Sequence, residues 1–264
     1  MSKVRHFKSL LDINKKEFLR IIDRSIQLKR ESLEGIANTS FSNKTLAMNF
    51  KKNSTRTRVA FETAMATMGG HAIFLPSDTT QISRGEELSD TAKVLSGMVD
   101  IIMVRTHDHK EIEELAENSS VPVINGLTEK FHPCQLLADM QTYFEEKGSI
   151  EGKKVAWVGD GCNMCNSYIN AAKVLNFNLK IATPSGFEPD QATLDLAKDN
   201  VELCDMPGKA VEDCDLVTTD VWSSMGDEGE SEKRKLMFKG YQINKHLFEK
   251  SKSDSIFLHC LPAH

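Results

Sequence analysis

The segment Lys52-Asn-Ser-Thr-Arg-Thr-Arg58 puts three hydroxyls and two guanidinium groups into seven residues. It follows a short apolar run, Thr45–Phe50, and precedes a helical pattern from Ser54 to Met68. A helix N-terminus has unpaired N–H groups and the positive end of the helix dipole. With Ser54, Thr55 and Thr57 as hydroxyl donors and Arg56 as a rigid fork, the segment has the makings of a phosphate site without a glycine-rich loop. Read alone, the segment is more simply a Ser54 helix cap with both arginines solvated, and Arg58 is a candidate structural residue even where Arg56 binds a ligand.

Further groups recur where apolar runs end. Arg105-Thr106 closes Val-Asp-Ile-Ile-Met-Val, either as a strand end reaching water or as a site residue. His132 precedes Pro133, which opens a helix, and Gln135 sits on that helix's first turn. Gly159-Asp-Gly161 followed by Cys162-Asn163 resembles the start of a dinucleotide fingerprint. It lacks the third glycine, and the next strand ends in Ile-Ala-Thr-Pro184 with no acidic residue, which argues against a nicotinamide site. Asp220, in Asp-Val-Trp-Ser-Ser-Met-Gly226, could hold an amine or simply shape a turn. Cys260, in His259-Cys-Leu-Pro262, could line a site or be a buried thiol.

Positioning these groups takes an alternation of strands and helices. A helix over 14–33 is expected to place Phe18, Leu19, Ile22, Ile26 and Leu33 on one stripe. Strands are expected at Thr45–Phe50, His71–Leu75, Val99–Arg105 and Val121–Asn125, with helices at Ser54–Met68, Glu87–Met98, 109–118 and Pro133–Lys147. A second cycle follows: strands at Lys154–Val158, Asn178–Thr183, Cys214–Asp220 and Ser255–His259, and helices at Asn163–Leu175, 190–199 and Gln242–Lys252. Gly226–Lys235 is expected to be an exposed loop. The fold class is therefore α/β: two lobes, each a mainly parallel sheet covered by helices on both faces, divided as 1–148 and 149–264. Ligands of such sheets lie beyond the carboxyl ends of the strands, which is where the reactive segments fall.

Composition narrows the classes. The sequence of 264 residues is long enough for one or two domains and a core without staples. A net charge of −5 argues against a partner bound through bulk positive charge, so no nucleic acid is expected. No apolar run reaches the roughly 18 residues of a membrane helix, and Met1–Phe7 has no apolar leader. Six scattered cysteines point to reduced thiols and a cytoplasmic location, and the lone Cys162-x-x-Cys165 is a weak metal signal.

Taken together, Ser-Thr-Arg-Thr-Arg at 54–58, Phe-His-Pro-Cys-Gln at 131–135, Asp-Val-Trp-x-Ser-Met-Gly at 220–226 and His-Cys-Leu-Pro at 259–262 resemble the ornithine carbamoyltransferase family, in order and over essentially the whole chain. The resemblance implies an N-terminal carbamoyl phosphate domain, a C-terminal ornithine domain, and a homotrimer with sites near subunit interfaces. It also implies a reaction without metal or cofactor: carbamoyl phosphate plus L-ornithine gives L-citrulline plus phosphate. By motif, Ser54, Thr55, Arg56 and Thr57 would hold the phosphate, Arg105 and His132 with Thr57 would face the carbonyl oxygen, and Gln135 would bond the carbamoyl amide. Asn163, Asp220, Ser224 and Met225 would bind the ornithine α-groups, Cys260 and the Leu261 carbonyl would lie by the reacting amine, and Gln81 would reach a neighbouring subunit's site.

Two departures accompany the resemblance. The family implies a further segment after His-Cys-Leu-Pro, with a terminal helix and an arginine for carbamoyl phosphate, so truncation at His264 is expected. Cys162 stands where the family commonly has Asn. The alternatives carried are putrescine, N-acylornithine or aspartate as acceptor, a nicotinamide-dependent dehydrogenase, and a binding protein without turnover.

Overall fold

The computed structural model describes residues 4–222 and 231–263. The chain divides into two compact units, Met1–Leu137 and Ala138–His264. The first holds a four-stranded parallel sheet in the order β2-β1-β3-β4, made of β1 (Thr45–Phe50), β2 (His71–Pro76), β3 (Ile101–Arg105) and β4 (Val123–Leu127). The central strands β1 and β3 are buried along nearly their whole length because both faces are covered. Leu46, Met48, Phe50 and Met103 pack on one face with Met65 and Phe61 of α2 (Thr55–Thr67). Ala47, Ile102 and Val104 pack on the other with Ala92 of α3 (Leu88–Ser96) and Ile112, Leu115 and Ala116 of α4 (His109–Asn118).

α1 (Lys15–Leu33) starts at a capping box: the Asn14 side chain accepts from the Glu17 N–H, and the Glu17 carboxylate accepts from the Asn14 N–H. Phe18 and Ile22 are buried as the stripe requires. Leu33 falls on that stripe by spacing but is not buried with it; at 82% exposure it is the last helical residue, beyond the reach of the core.

The second unit holds a five-stranded parallel sheet in the order β7-β6-β5-β8-β9. Its strands are β5 (Lys154–Val158), β6 (Asn178–Ala182), β7 (Val201–Leu203), β8 (Leu216–Thr219) and β9 (Ile256–His259). One face packs on α8 (Pro207–Val211) and α10 (Lys245–Phe248) through Ala156, Val158, Val217, Ala210, Val211 and Leu247. On α6 (Asn163–Leu175), Tyr168 meets Trp157 with ring centroids 5.7 Å apart. The remaining helices are α5 (Pro133–Lys147), α7 (Gln191–Leu196) and α9 (Ser231–Met237).

Three expectations change. Residues 231–235 of the expected loop belong to α9, because Ser-Glu-Lys-Arg-Lys-Leu-Met has no helix breaker and the fully buried Phe238 anchors its end; residues 226–230 lie outside the described residues. The helix expected over Gln242–Lys252 shrinks to Lys245–Phe248. β7 and α8 were not expected: β7 is a three-residue edge strand in which Glu202 and Leu203 are exposed, so it carries no apolar run, although Pro207 at the first position of α8 was a legible start signal.

Candidate active site

In the first unit the sheet order reverses at β1 and β3, the kind of position where open α/β sheets bind ligands. The pairing of Phe50 with Arg105 sets the ends of these strands side by side, and the Lys51 N–H donates to the Arg105 carbonyl at 2.9 Å. From β1 the chain turns into α2, with Ser54 as N-cap in an extended conformation. Ser54 Oγ accepts from the Thr57 N–H at 3.3 Å and donates to Thr57 Oγ1 at 3.0 Å. Arg105 Nη1 also donates to Thr57 Oγ1, at 3.1 Å. Both lone pairs of the Thr57 hydroxyl are thereby used, and its O–H remains to donate outward.

Arg105 is 5% exposed, and among the described residues no carboxylate pairs with it. Its Nε donates to no protein group. Burial, with the nearby Arg56 charge, lowers its pKa to about 10. A guanidinium in this state lacks an anion. Arg56 itself is exposed on the first turn of α2.

His132 stands before Pro133 at the start of α5, and burial with the Arg105 charge lowers its pKa to about 3. At neutral pH it is therefore a neutral imidazole. A compact loop holds it: the Phe131 N–H donates to Thr128 Oγ1 at 3.1 Å, the Thr128 N–H donates to the Phe131 carbonyl at 2.9 Å, and His109 Nδ1 lies 3.1 Å from Thr128 Oγ1. Fully buried Asn125 donates to the Lys8 carbonyl at 2.8 Å and the Phe131 carbonyl at 3.4 Å. Gln135 lies partly buried on the first turn of α5. Arg105, the Ser54–Thr57 turn and this loop are all at the carboxyl edge of one sheet.

In the second unit the order reverses between β5 and β8. Asp220 follows β8, and Gly159–Cys162 join β5 to α6. Asp220 Oδ1 accepts from Cys260 Sγ at 2.7 Å and from the Val221 N–H at 2.7 Å, and Oδ2 accepts from Cys162 Sγ at 3.7 Å. The carboxylate thus gathers groups that follow β5, β8 and β9. Arg234 of α9 donates to Asp160 and to the Trp222 carbonyl, and its guanidinium lies over the Phe187 ring at 4.8 Å. Asp220, Trp222, Arg234, Tyr241 and His259 line a cavity of about 540 Å³.

Two family models span the chain. The carbamoyl-phosphate-binding domain of aspartate/ornithine carbamoyltransferases matches residues 5–145, and the aspartate/ornithine-binding domain matches 151–264. The chain belongs to the aspartate/ornithine carbamoyltransferase family. Among its relatives, the ornithine carbamoyltransferase of Hydrogenovibrio crunogenus is 51% identical over 261 residues, covering 99% of this chain and 86% of that protein. That of Chromohalobacter salexigens is 52% identical, covering 98% and 86%. The structure of ornithine carbamoyltransferase from Pyrococcus furiosus superposes with a TM-score of 0.94 at 46% identity, over 98% of this chain and 85% of that one.

Within this carbamoyltransferase fold, the residues singled out from sequence fall into two groups. Ser54, Thr55, Arg56, Thr57, Arg105, His132 and Gln135 lie on the strand-end side of the first sheet. Asn163, Asp220, Cys260 and Leu261 lie at strand ends or the helix start of the second. Gln81 opens a short 3-10 helix, Gln81–Arg84, and lines a separate cavity of about 260 Å³ with Asn49, Glu86 and Thr91. Ser224 and Met225 lie outside the described residues. Arg58 is engaged elsewhere, paired with Glu62 at 3.0 Å and stacked 3.7 Å over Phe74.

Sequence reasoning missed the Thr128–Asn125 scaffold under His132, since lone polar residues near a strand end carry no pattern. It also missed the Arg234–Asp160 pair, whose partners are distant in sequence. The two glycines of the apparent fingerprint have structural causes. Gly159 has φ +141°, and a Cβ on Gly161 would meet the backbone of Phe187–Pro189 at 2.3–2.5 Å. Gly161 is fixed by this chain's own backbone, so its presence gives no support to a dinucleotide pyrophosphate.

Proposed function

We propose that this protein transfers the carbamoyl group of carbamoyl phosphate to the δ-amine of L-ornithine, giving L-citrulline and phosphate. The observation that carries the reading is the buried Arg105 guanidinium, with no carboxylate beside it, next to the amino end of α2. That environment calls for a compact anion. Residues 1–148 serve as the carbamoyl phosphate domain and 149–264 as the ornithine domain, in line with the two matched family models.

The neutral δ-amine attacks the carbonyl carbon. A C–N bond forms, the C–O bond to phosphorus's oxygen breaks, and the amine proton leaves with the phosphate or to solvent. An amine of this kind has a pKa near 10.4 in water, so a desolvated site that favours the neutral form aids attack. Negative charge develops on the carbonyl oxygen, where Arg105, neutral His132 and the Thr57 hydroxyl are the donors. One such donor is typically worth about 3–4 kcal/mol. Ser54, Thr55 and Arg56 with the first-turn amides of α2 take the phosphate, and Gln135 takes the carbamoyl amide. Asp220 and Asn163, with Ser224 and Met225, take the α-groups of ornithine, and Cys260 and the Leu261 carbonyl lie by the attacking amine. This displacement balances without a redox partner or cofactor, and holding two substrates in line supplies much of the remaining acceleration.

The protein works as a cytoplasmic homotrimer in which Gln81 serves a neighbouring subunit's site. Among the described residues no helix is long and apolar enough to cross a membrane. The deciding experiment compares citrulline or carbamoyl-product formation from ornithine, putrescine, N-acetylornithine and aspartate side by side. Ornithine is expected to be fastest; a faster reaction with any other acceptor rejects the assignment. Light scattering of the purified protein tests the trimer.

A further inference from the structure

Cys162 caps α6 and projects toward the carboxylate that follows β8. A carboxylate offers about four lone-pair positions. Oδ1 of Asp220 already receives two donors, Cys260 Sγ and the Val221 N–H. Among the described residues the Cys162 thiol is the one protein donor on Oδ2, so a lone pair on that oxygen remains for an incoming ammonium. The Val221 bond comes from the residue next to Asp220 and the Cys260 bond falls on the same oxygen. Both act on Oδ1, and the Cys162 thiol is the group among the described residues that engages Oδ2 itself. We propose that Cys162 is a positioning residue of the amino-acid site, its thiol fixing Oδ2 of Asp220 so that the carboxylate presents its open lone pair to the α-ammonium of the acceptor.

This rests on the reading of Asp220 as the ammonium partner. The protonation state of the thiol agrees with a donor role. Burial, with the Asp220 and Asp160 carboxylates nearby, keeps its pKa well above the ordinary thiol value, against the pull of the Met164 and Cys165 amides. The thiol therefore stays S–H at working pH. The role separates acceptors by class. A free α-amino acid uses the oriented carboxylate, whereas an N-acylated one offers no ammonium to it.

The test combines kinetics with a spectroscopic readout. In Cys162→Ala the ornithine KM is expected to rise by about three- to ten-fold, while kcat and the carbamoyl phosphate KM move by less than about two-fold. Cys162→Ser, which restores a donor, is expected to recover most of the ornithine KM, and the preference for ornithine over N-acetylornithine should narrow only in the alanine variant. An unchanged ornithine KM in Cys162→Ala overturns the proposal. So does a Cys162→Ser variant as impaired as the alanine one with both KM values raised, which would mark a merely structural role. Independently of activity, the S–H stretching band that disappears in Cys162→Ala should move to higher frequency in Asp220→Ala; a band that stays in place overturns the proposal. A protein that forms no citrulline from ornithine overturns the functional reading instead, and the band shift then decides the role of Cys162 by itself.

Discussion

Arg105 Nη1 donates to Thr57 Oγ1 at 3.1 Å, joining the end of β3 to the first turn of α2. The same hydroxyl accepts from Ser54, so the relay from Arg105 and Ser54 converges on one oxygen and leaves one proton directed away from both. Thr57→Val removes that proton and leaves Arg105 without its acceptor, whereas Thr57→Ser keeps both. With Thr57 as the proposed carbonyl-oxygen donor, the valine variant is expected to lose about 10²–10³-fold in kcat/KM for carbamoyl phosphate, the range typical of one oxyanion donor, and the serine variant about ten-fold or less. Steady-state kinetics of the pair checks this; a valine variant no more impaired than the serine one would show that the hydroxyl is not the donor.

Arg105 also sets stability against activity. Its burial without a carboxylate disfavours the cation by on the order of 3 kcal/mol, as the fall of its pKa to about 10 implies. Arg105→Met fills similar volume without charge. Its Tm is expected to rise by roughly a few degrees while activity falls to background. Thermal melts without ligand, set beside the citrulline assay, decide it. Added phosphate should stabilise the parent and not the variant.

His132 predicts an acid limb. Its folded pKa of about 3 lies below the ordinary imidazole value, so between pH 6.5 and 3 the unfolded chain takes up a proton that the folded one does not. Stability contributed by the neutral ring is complete above that window and falls as pH drops through it, by roughly 1.4 kcal/mol per pH unit. His132→Gln removes the effect. Its denaturant midpoint should be flatter than the parent's between pH 6 and 4, measured by chemical denaturation at each pH.

Arg56, on the first turn of α2, and Asp220, after β8, belong to different units, and their variants should separate kinetically. Arg56→Ala is expected to raise the carbamoyl phosphate KM by about ten-fold or more, since the proposed charged hydrogen bond to phosphate would be lost. Asp220→Ala should act mainly on the ornithine KM. Crossed effects in the two-substrate kinetics would contradict the assignment.

Gly161→Ala tests the reading of the β5–α6 turn. A Cβ there would overlap the Phe187–Pro189 backbone, so the variant is expected to lose about 2 kcal/mol or more of stability. NADH titrated by fluorescence should bind neither parent nor variant.

Much of this protein is legible in its residues. The strand ranges of β1 and β5 and the helices α4, α5 and α6 follow directly from apolar runs and caps, because each is a local choice of period and terminus. Ser54 as cap, Pro133 as helix opener and the clustering of reactive groups at strand ends needed only the chain's order. The tertiary structure alone decided the rest. A guanidinium after an apolar run can reach water or be buried, and only the sheet order, with β3 beside β1, encloses Arg105 and gives it Thr57. Leu33 repeats the helical stripe yet faces solvent, since a stripe does not say where the core stops. The thiols of Cys162 and Cys260 meet at Asp220 because the ends of three strands converge there, a long-range juxtaposition to which sequence period is blind.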